Sequence, residues 1–164
     1  MEIFLLFIEI FPNFIGVMGT IDEQRKKEIH QVLIKYEKSY GSAIAILLNS
    51  KKGLKPQAVF DFIKISEFPN HLIEQLLNKT LKTLTAYKQN NTSLDAVISE
   101  KLLKLFALYD KGTLVFGTAG EFNKWLAEPA SGLGNQVPNT VLDTITGIDL
   151  VNEELVRIEY GDLA

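Results

Sequence analysis

The fold class of this chain is decided by residues 92–112, TSLDAVISEKLLKLFALYDKG, which form its longest continuous helical pattern. Apolar residues recur there at helical spacing, which predicts a single long helix. Ser93 is the expected N-cap, since its hydroxyl can accept a hydrogen bond from the first turn. Gly112 is the expected C-cap, because glycine tolerates the left-handed conformation in which helices often end.

Helical patterns also lie on both sides of this stretch. Residues 22–40 carry apolar side chains at helical steps, and Gly41 is expected to end that helix. Residues 42–50, SAIAILLNS, fit a strand or a helix equally well. No strand alternation is visible beyond residue 55, so the predicted fold is an all-α helical bundle. Further helices are expected from Pro56, from Pro69, and over residues 79–91, 118–129, 138–147 and 149–161.

A loop with two glycines, ASGLGNQVP at residues 130–138, raises the question of a nucleotide site. A dinucleotide fingerprint needs a third glycine between a strand and a helix, which is missing here. We interpret the loop as a helix connector in which Gly132 and Gly134 permit positive φ angles. Pro138 then begins a short helix that Gly147 closes. No P-loop or GxSxG motif is present, so we expect no enzyme activity and no cofactor.

The composition limits the chemistry further. The 164 residues contain no cysteine and only two histidines, so a metal site is not expected. Residues 51–92 carry seven lysines against three acidic side chains, a net charge of +4. Residues 93–164 carry five basic and eleven acidic side chains, a net charge of −6. This asymmetry indicates two surfaces with different partners, although ordinary solvated charge explains it equally well.

The first 20 residues form an apolar segment without the features of a secretory signal, because its start carries Glu2 and no basic residue. Glu9 and Pro12 interrupt the apolar run. Our hypothesis is that translation starts at Met18 and that residues 1–17 lie upstream of the true start. The alternative is a translated segment that forms an apolar appendage or a weak membrane contact. The protein is expected in the cytoplasm.

Residues 69–90 are a helix-turn-helix candidate, with two short helices separated at LLNKT. Lysines on the second helix would neutralise phosphates, and hydroxyl groups would reach phosphates or base edges. A solvated helix face is the alternative interpretation. The candidate DNA-binding residues are Lys79, Thr80, Lys82, Thr83, Tyr87 and Lys88.

The C-terminal part carries a more specific pattern from residue 109 to residue 161. It contains an aromatic-glycine pair, a helix ending in Trp-Leu, a Leu-Gly loop followed by proline, and a closing Arg-Ile-Glu-Tyr-Gly. This pattern resembles the C-terminal toxin-binding domain of Xre/MbcA/ParS antitoxins. The matching positions are Phe116-Gly117, Trp125-Leu126, Leu133-Gly134, Pro138, Gly147 and Arg157-Ile158-Glu159-Tyr160-Gly161.

Upstream, residues 76–88, LLNKTLKTLTAYK, are similar to the recognition segment of the Xre-like helix-turn-helix in this family. Two positions depart from the family pattern: Ala86 replaces an arginine, and Lys79 takes an isoleucine-like position. The sequence pattern predicts an apolar segment at 1–20 and a helical region at 21–54, neither of which resembles the family. The resemblance implies a helix-turn-helix domain at 55–108 and a toxin-binding domain at 109–164.

The resemblance implies an antitoxin of a bacterial type II toxin–antitoxin pair. Its partner would be a RES-domain toxin that consumes NAD, and it would repress its own operon as a homodimer or larger complex. An interaction module without DNA binding is the alternative. By position, the implied toxin-facing residues are Trp125, Arg157, Glu159, Tyr160 and Gly161.

For three of these residues the sequence leaves a purely structural role open. Trp125 fits helix packing, Arg157 fits a surface pair with Glu153 or Glu154, and Gly161 fits a helix stop.

Overall fold

The computed structural model describes the backbone of residues 14–161 and the side chains of residues 23–161. Within these residues the chain has eight α-helices and no strand, with 76% helix, which confirms the all-α prediction. In chain order they are α1 Phe14–Tyr40, α2 Ala43–Lys52, α3 Gln57–Ser66, α4 Asn70–Leu77, α5 Leu81–Gln89, α6 Ala96–Phe116, α7 Ala119–Leu126 and α8 Ile145–Glu159, with 3-10 turns at Ser131–Leu133 and Pro138–Thr140.

The first two helices of the described residues meet at Gly41. Helix α1 ends at Tyr40, as the sequence predicts. The segment at 42–50, for which the sequence fits strand and helix alike, is helical, and the Ser42 hydroxyl caps it by accepting from the Ala45 N–H at 3.2 Å. Residues 1–13, which hold most of the predicted apolar segment, lie outside the described residues.

Helix α6 lies at the centre of the bundle and packs against α1, α2, α3, α4, α7 and α8. Most side chains of its middle turns are buried, and Phe106 and Tyr109 make edge-to-face ring contacts with Phe62 of α3. Such aromatic pairs contribute about 0.5–1.5 kcal/mol beyond the area they bury. The other buried side chains of these turns are Leu102, Leu103, Leu105 and Leu108.

Both predicted ends of this long helix are wrong. Asp95, and not Ser93, is the N-cap, because its carboxylate accepts from the Ile98 N–H at 2.9 Å. The helix also continues past Gly112 and ends at Gly117, which has a φ of 80°. Gly112 is buried, and a Cβ there would overlap the ring of Phe122. A helix-to-helix contact therefore explains this glycine.

The predicted helix at 138–147 is also wrong in its end. Residues 138–140 form only a 3-10 turn, and Gly147 lies inside the first turn of α8. Thr144 caps α8 by accepting from the Gly147 N–H at 2.9 Å. A Cβ at Gly147 would overlap the Val141 carbonyl oxygen, so the close turn before α8 requires glycine here.

The predicted division at 108/109 falls inside α6, which contributes to both regions. Buried residues from Leu33 to Leu155 form a single hydrophobic cluster. The helix-turn-helix candidate and the C-terminal region therefore share one core. None of the helices in the described part is long and apolar enough to cross a membrane.

Candidate functional site

The helix-turn-helix candidate consists of α4 and α5, joined by Asn78, Lys79 and Thr80. Asn78 takes a left-handed conformation with a φ of 49°, which lets the chain turn sharply. The Thr80 hydroxyl accepts from the Thr83 N–H at 3.2 Å and caps α5. Glu74 of α4 accepts from the Leu81 N–H at 2.7 Å and thus ties the first helix to the start of the second.

The predicted DNA-binding side chains of the turn and of α5 differ in their exposure and in their contacts. Lys82 and Lys88 are exposed, and Lys79 is half-buried at the turn. Thr80 and Thr83 are engaged in the cap, with 2.9 Å between their hydroxyl oxygens. Tyr87 is half-buried and packs against the core. Lys82 and Lys88 are thus the exposed charged side chains of this set.

The Arg157 side chain at the end of α8 is held in a defined position. Its Nε donates to Glu154 Oε2 at 2.7 Å, and its Nη2 also lies 2.7 Å from that oxygen. Nη2 donates in addition to the Gly132 carbonyl at 3.2 Å. The surface-pair alternative for Arg157 is therefore present in the structure, with Glu154 as its partner.

The Glu154 carboxylate packs directly against Gly132. The Glu154 side chain is buried, with 8% exposure, an unusual place for a carboxylate without a counter-charge. A Cβ at Gly132 would overlap that carboxylate, so glycine makes room for it. The prediction of a positive φ holds for Gly134, at 64°, but Gly132 is not among the positive-φ glycines. Its role is close approach and not backbone conformation.

The last residues of α8 point outward. Glu159 pairs with Lys111 of α6 at 2.8 Å between Oε2 and Nζ. Tyr160 follows the helix and is 80% exposed, the most exposed large hydrophobic side chain among the described residues. Gly161 has a φ of 73°, consistent with a helix stop.

Trp125 belongs to a different part of the surface. Its ring lies 5.4 Å from the ring of Phe116 and 6.0 Å from that of Phe122, both measured between centroids. The side chain is half-buried. These contacts agree with the alternative interpretation, in which Trp125 packs helices together. The structure thus brings Arg157, Glu159 and Tyr160 to the end of α8 and places Trp125 in an aromatic cluster of α6 and α7.

The pattern of this C-terminal part agrees with a known family. Residues 111–161 match the antitoxin Xre/MbcA/ParS C-terminal toxin-binding domain. The match confirms the resemblance to this antitoxin type and implies a toxin protein as partner. It is a family of binding domains and not of enzymes. No curated protein matches the chain.

The toxin-binding domain match begins in α6, one turn before its C-terminal end, and includes α7, the glycine loop and α8. It therefore contains the complete Gly132, Glu154 and Arg157 arrangement. Sequence reasoning missed the roles of Gly132 and Lys111. Lys111 has no local signal, because it is 48 positions from its partner Glu159. Among the described residues, no cluster of acidic side chains or histidines could hold a metal ion.

Proposed function

We propose that this chain is the antitoxin of a type II toxin–antitoxin pair. It binds and inhibits a RES-domain, NAD-consuming toxin and represses its own operon as a cytoplasmic homodimer or larger complex. The observation that carries the proposal is the match of residues 111–161 to an antitoxin toxin-binding domain, which ends at the exposed end of α8. NAD, in this proposal, belongs to the partner's active site.

The end of α8 suits insertion into a cleft. Tyr160 offers a large ring with a polar tip, the kind of side chain enriched at the centre of protein interfaces. Arg157 is fixed along one edge by Glu154 and Gly132, and its Nη1 has no partner among the described residues. A guanidinium held this way loses little further entropy when its outer edge binds a carboxylate or phosphate. Glu159, at the same end of α8, can be released from Lys111 at small cost, since that pair is partly exposed.

Repression would use the turn between α4 and α5. The capped start of α5 is rigid, which suits a helix that enters a groove. Lys79, Lys82 and Lys88 have no carboxylate partner within the described residues, so their charge is available to phosphates.

Toxin neutralisation is tested by co-expression with the adjacent reading frame. If the neighbour encodes the toxin, it arrests growth when expressed alone, and this protein relieves the arrest. A version that stops after Glu159 should lose the relief, because Tyr160 and Gly161 are removed while the Arg157 contacts remain. A Glu153→Ala variant is the control, since Glu153 is exposed on the same helix. Equal arrest with and without the wild-type protein contradicts the proposal.

An interaction module without DNA binding is the second candidate. Two observations favour it: Ala86 takes the position of the family's arginine, and the Thr80 and Thr83 hydroxyls are occupied in the α5 cap. Gel shift with the promoter region of the operon separates the two candidates. Retardation of the promoter fragment supports the repressor; no retardation at low salt leaves the interaction module.

A further inference from the structure

The basic side chains of residues 51–92 and those beyond residue 92 differ in how many of them form an ion pair with a carboxylate. Ion pairs with carboxylates hold four of the five basic side chains beyond residue 92: Lys104, Lys111, Lys124 and Arg157. Between residues 51 and 92 only Lys64 has such a partner. The six lysines of that segment without a carboxylate partner in the described part are Lys51, Lys52, Lys55, Lys79, Lys82 and Lys88.

Three of these six lie outside the helix-turn-helix, in a segment that we call the basic loop, residues 51–55. Lys51 and Lys52 form the last turn of α2, and Lys55 stands just before α3. All three side chains are exposed. The helix C-terminus favours cations and accounts for Lys51 and Lys52 by itself. It does not account for Lys55, which lies beyond the helix.

The fold places the basic loop beside the end of α5. The Leu54 carbonyl accepts from the Leu94 N–H at 2.8 Å, and the Leu54 N–H donates to the Ser99 hydroxyl at 2.9 Å. Leu94 follows α5 by only five residues. The contact at Gly53 is so close that a Cβ there would lie 2.6 Å from the Leu94 carbonyl oxygen. The basic loop is therefore fixed against the loop that leaves α5.

The last turn of α5 reaches the same side of the molecule. Lys88 Nζ lies 4.8 Å from the centre of the Phe60 ring, and Phe60 is on α3, the helix that begins after the basic loop. Between the two groups of lysines run four exposed, uncharged side chains that can donate hydrogen bonds: Asn90, Asn91, Thr92 and Ser93.

This arrangement of charge suits contact with duplex DNA. A helix in the major groove, about 12 Å wide, lies between two phosphate backbones. Lysines and uncharged polar side chains that flank such a helix contact phosphate and sugar. We infer that the basic loop is a second DNA-contacting element that binds the phosphate backbone next to the groove occupied by α5. The inference rests on the proposed DNA-binding function and assigns part of that function to residues outside the helix-turn-helix.

Few acidic side chains lie near this surface, and those few accept hydrogen bonds from other groups of the protein. Asp95 caps α6 through the Ile98 N–H, and Glu74 accepts from the Leu81 N–H at the start of α5. Asp61 of α3 is bound by Lys35, Tyr36 and Gln57. The surface therefore keeps its positive charge, and the partner it fits is a polyanion.

The test is gel shift or fluorescence anisotropy with a random-sequence DNA duplex across a salt series from about 50 to about 200 mM. The test variant is Lys51→Gln, Lys52→Gln, Lys55→Gln in the full chain. Each lost phosphate contact flattens the plot of log binding constant against log salt by about one unit, so we expect a change of about two to three units. The same three positions changed to arginine should keep the wild-type slope.

A matched control removes three charges elsewhere: Lys27→Gln, Lys64→Gln, Lys124→Gln, all exposed. Lys64 lies near the C-terminal end of α3, at the opposite end of that helix from the basic loop, and Lys124 lies on α7. This control should leave the slope within about half a unit of wild type. Thermal melting by circular dichroism checks that all variants fold.

The outcomes separate this inference from the proposed function. Wild-type binding with an unchanged slope in the basic-loop variant overturns the inference and leaves the helix-turn-helix as the DNA-binding element. The same loss of slope in the matched control also overturns it, because the effect would then be one of net charge. No binding of duplex by the wild type at low salt overturns DNA binding altogether, and binding of single-stranded RNA in its place would identify a different polyanion.

Discussion

Replacing Arg157 by methionine should lower the free energy of unfolding by about 2 kcal/mol. The change leaves the Glu154 side chain, only 8% exposed, without its counter-charge. Breaking a fully buried pair costs about 3–5 kcal/mol, and an exposed pair contributes about 0–1 kcal/mol. The Arg157 side chain is 41% exposed, so water replaces part of the lost interaction and the expected value lies between these limits.

The measurement is urea unfolding followed by circular dichroism, with thermal melting beside it. For a chain of this size, about 2 kcal/mol corresponds to a fall in Tm of about 4–8 °C. A double-mutant cycle with Glu154→Gln isolates the pair, because the neutral amide no longer needs a counter-charge. The double variant should therefore be about 1 kcal/mol more stable than the sum of the single changes predicts. A coupling below about 0.5 kcal/mol would refute the reasoning.

The same double variant separates the two roles of Arg157. It lacks the guanidinium but contains no unpaired buried charge, so its fold is preserved. If it still neutralises the toxin in the co-expression assay, Arg157 acts only by stabilising the glycine loop against α8. Loss of neutralisation by this folded variant assigns Arg157 to the toxin interface.

Three further predictions concern single positions. Gly112→Ala should lose about 1–3 kcal/mol in urea unfolding through overlap with Phe122, while Gly120→Ala, with its nearest neighbour atom at 3.9 Å, should be neutral or stabilising. Burial raises the pKa of Asp61, but hydrogen bonds from the side chains around it prevail and hold its pKa below the usual 3.8. The ionised Asp61 side chain therefore stabilises the folded state fully above pH 3.8, and this stabilisation is lost as the pH falls through the folded pKa. In the Asp61→Asn variant, the free energy of unfolding should accordingly depend less steeply on pH below about pH 4. Tyr160→Ala should leave Tm unchanged, because the ring is 80% exposed, and should weaken toxin neutralisation; full neutralisation would remove Tyr160 from the interface.

Local sequence signals are enough to predict much of this fold. Apolar spacing alone identifies α1, α6 and α7, and the break at LLNKT places the turn between α4 and α5 correctly. The closing Arg-Ile-Glu-Tyr-Gly and the Trp-Leu pair identified the toxin-binding domain, since rare residue types in fixed order are specific even without structure. In contrast, residues 42–50 are apolar without a clear period, and only the Ser42 cap and packing against α6 show that they form a helix.

The sequence by itself determined the helical class, the type of the C-terminal domain and the sign of charge along the chain. Only the tertiary structure decided what the glycines do. Gly112 and Gly132 look like turn residues, yet each makes room for a side chain from another helix, Phe122 and Glu154 respectively. Glycine has two uses, positive φ and close approach, and local sequence cannot distinguish them because the second depends on a distant partner. The pairing of Arg157 with a buried carboxylate and the position of the basic loop beside α5 depend on the tertiary structure for the same reason.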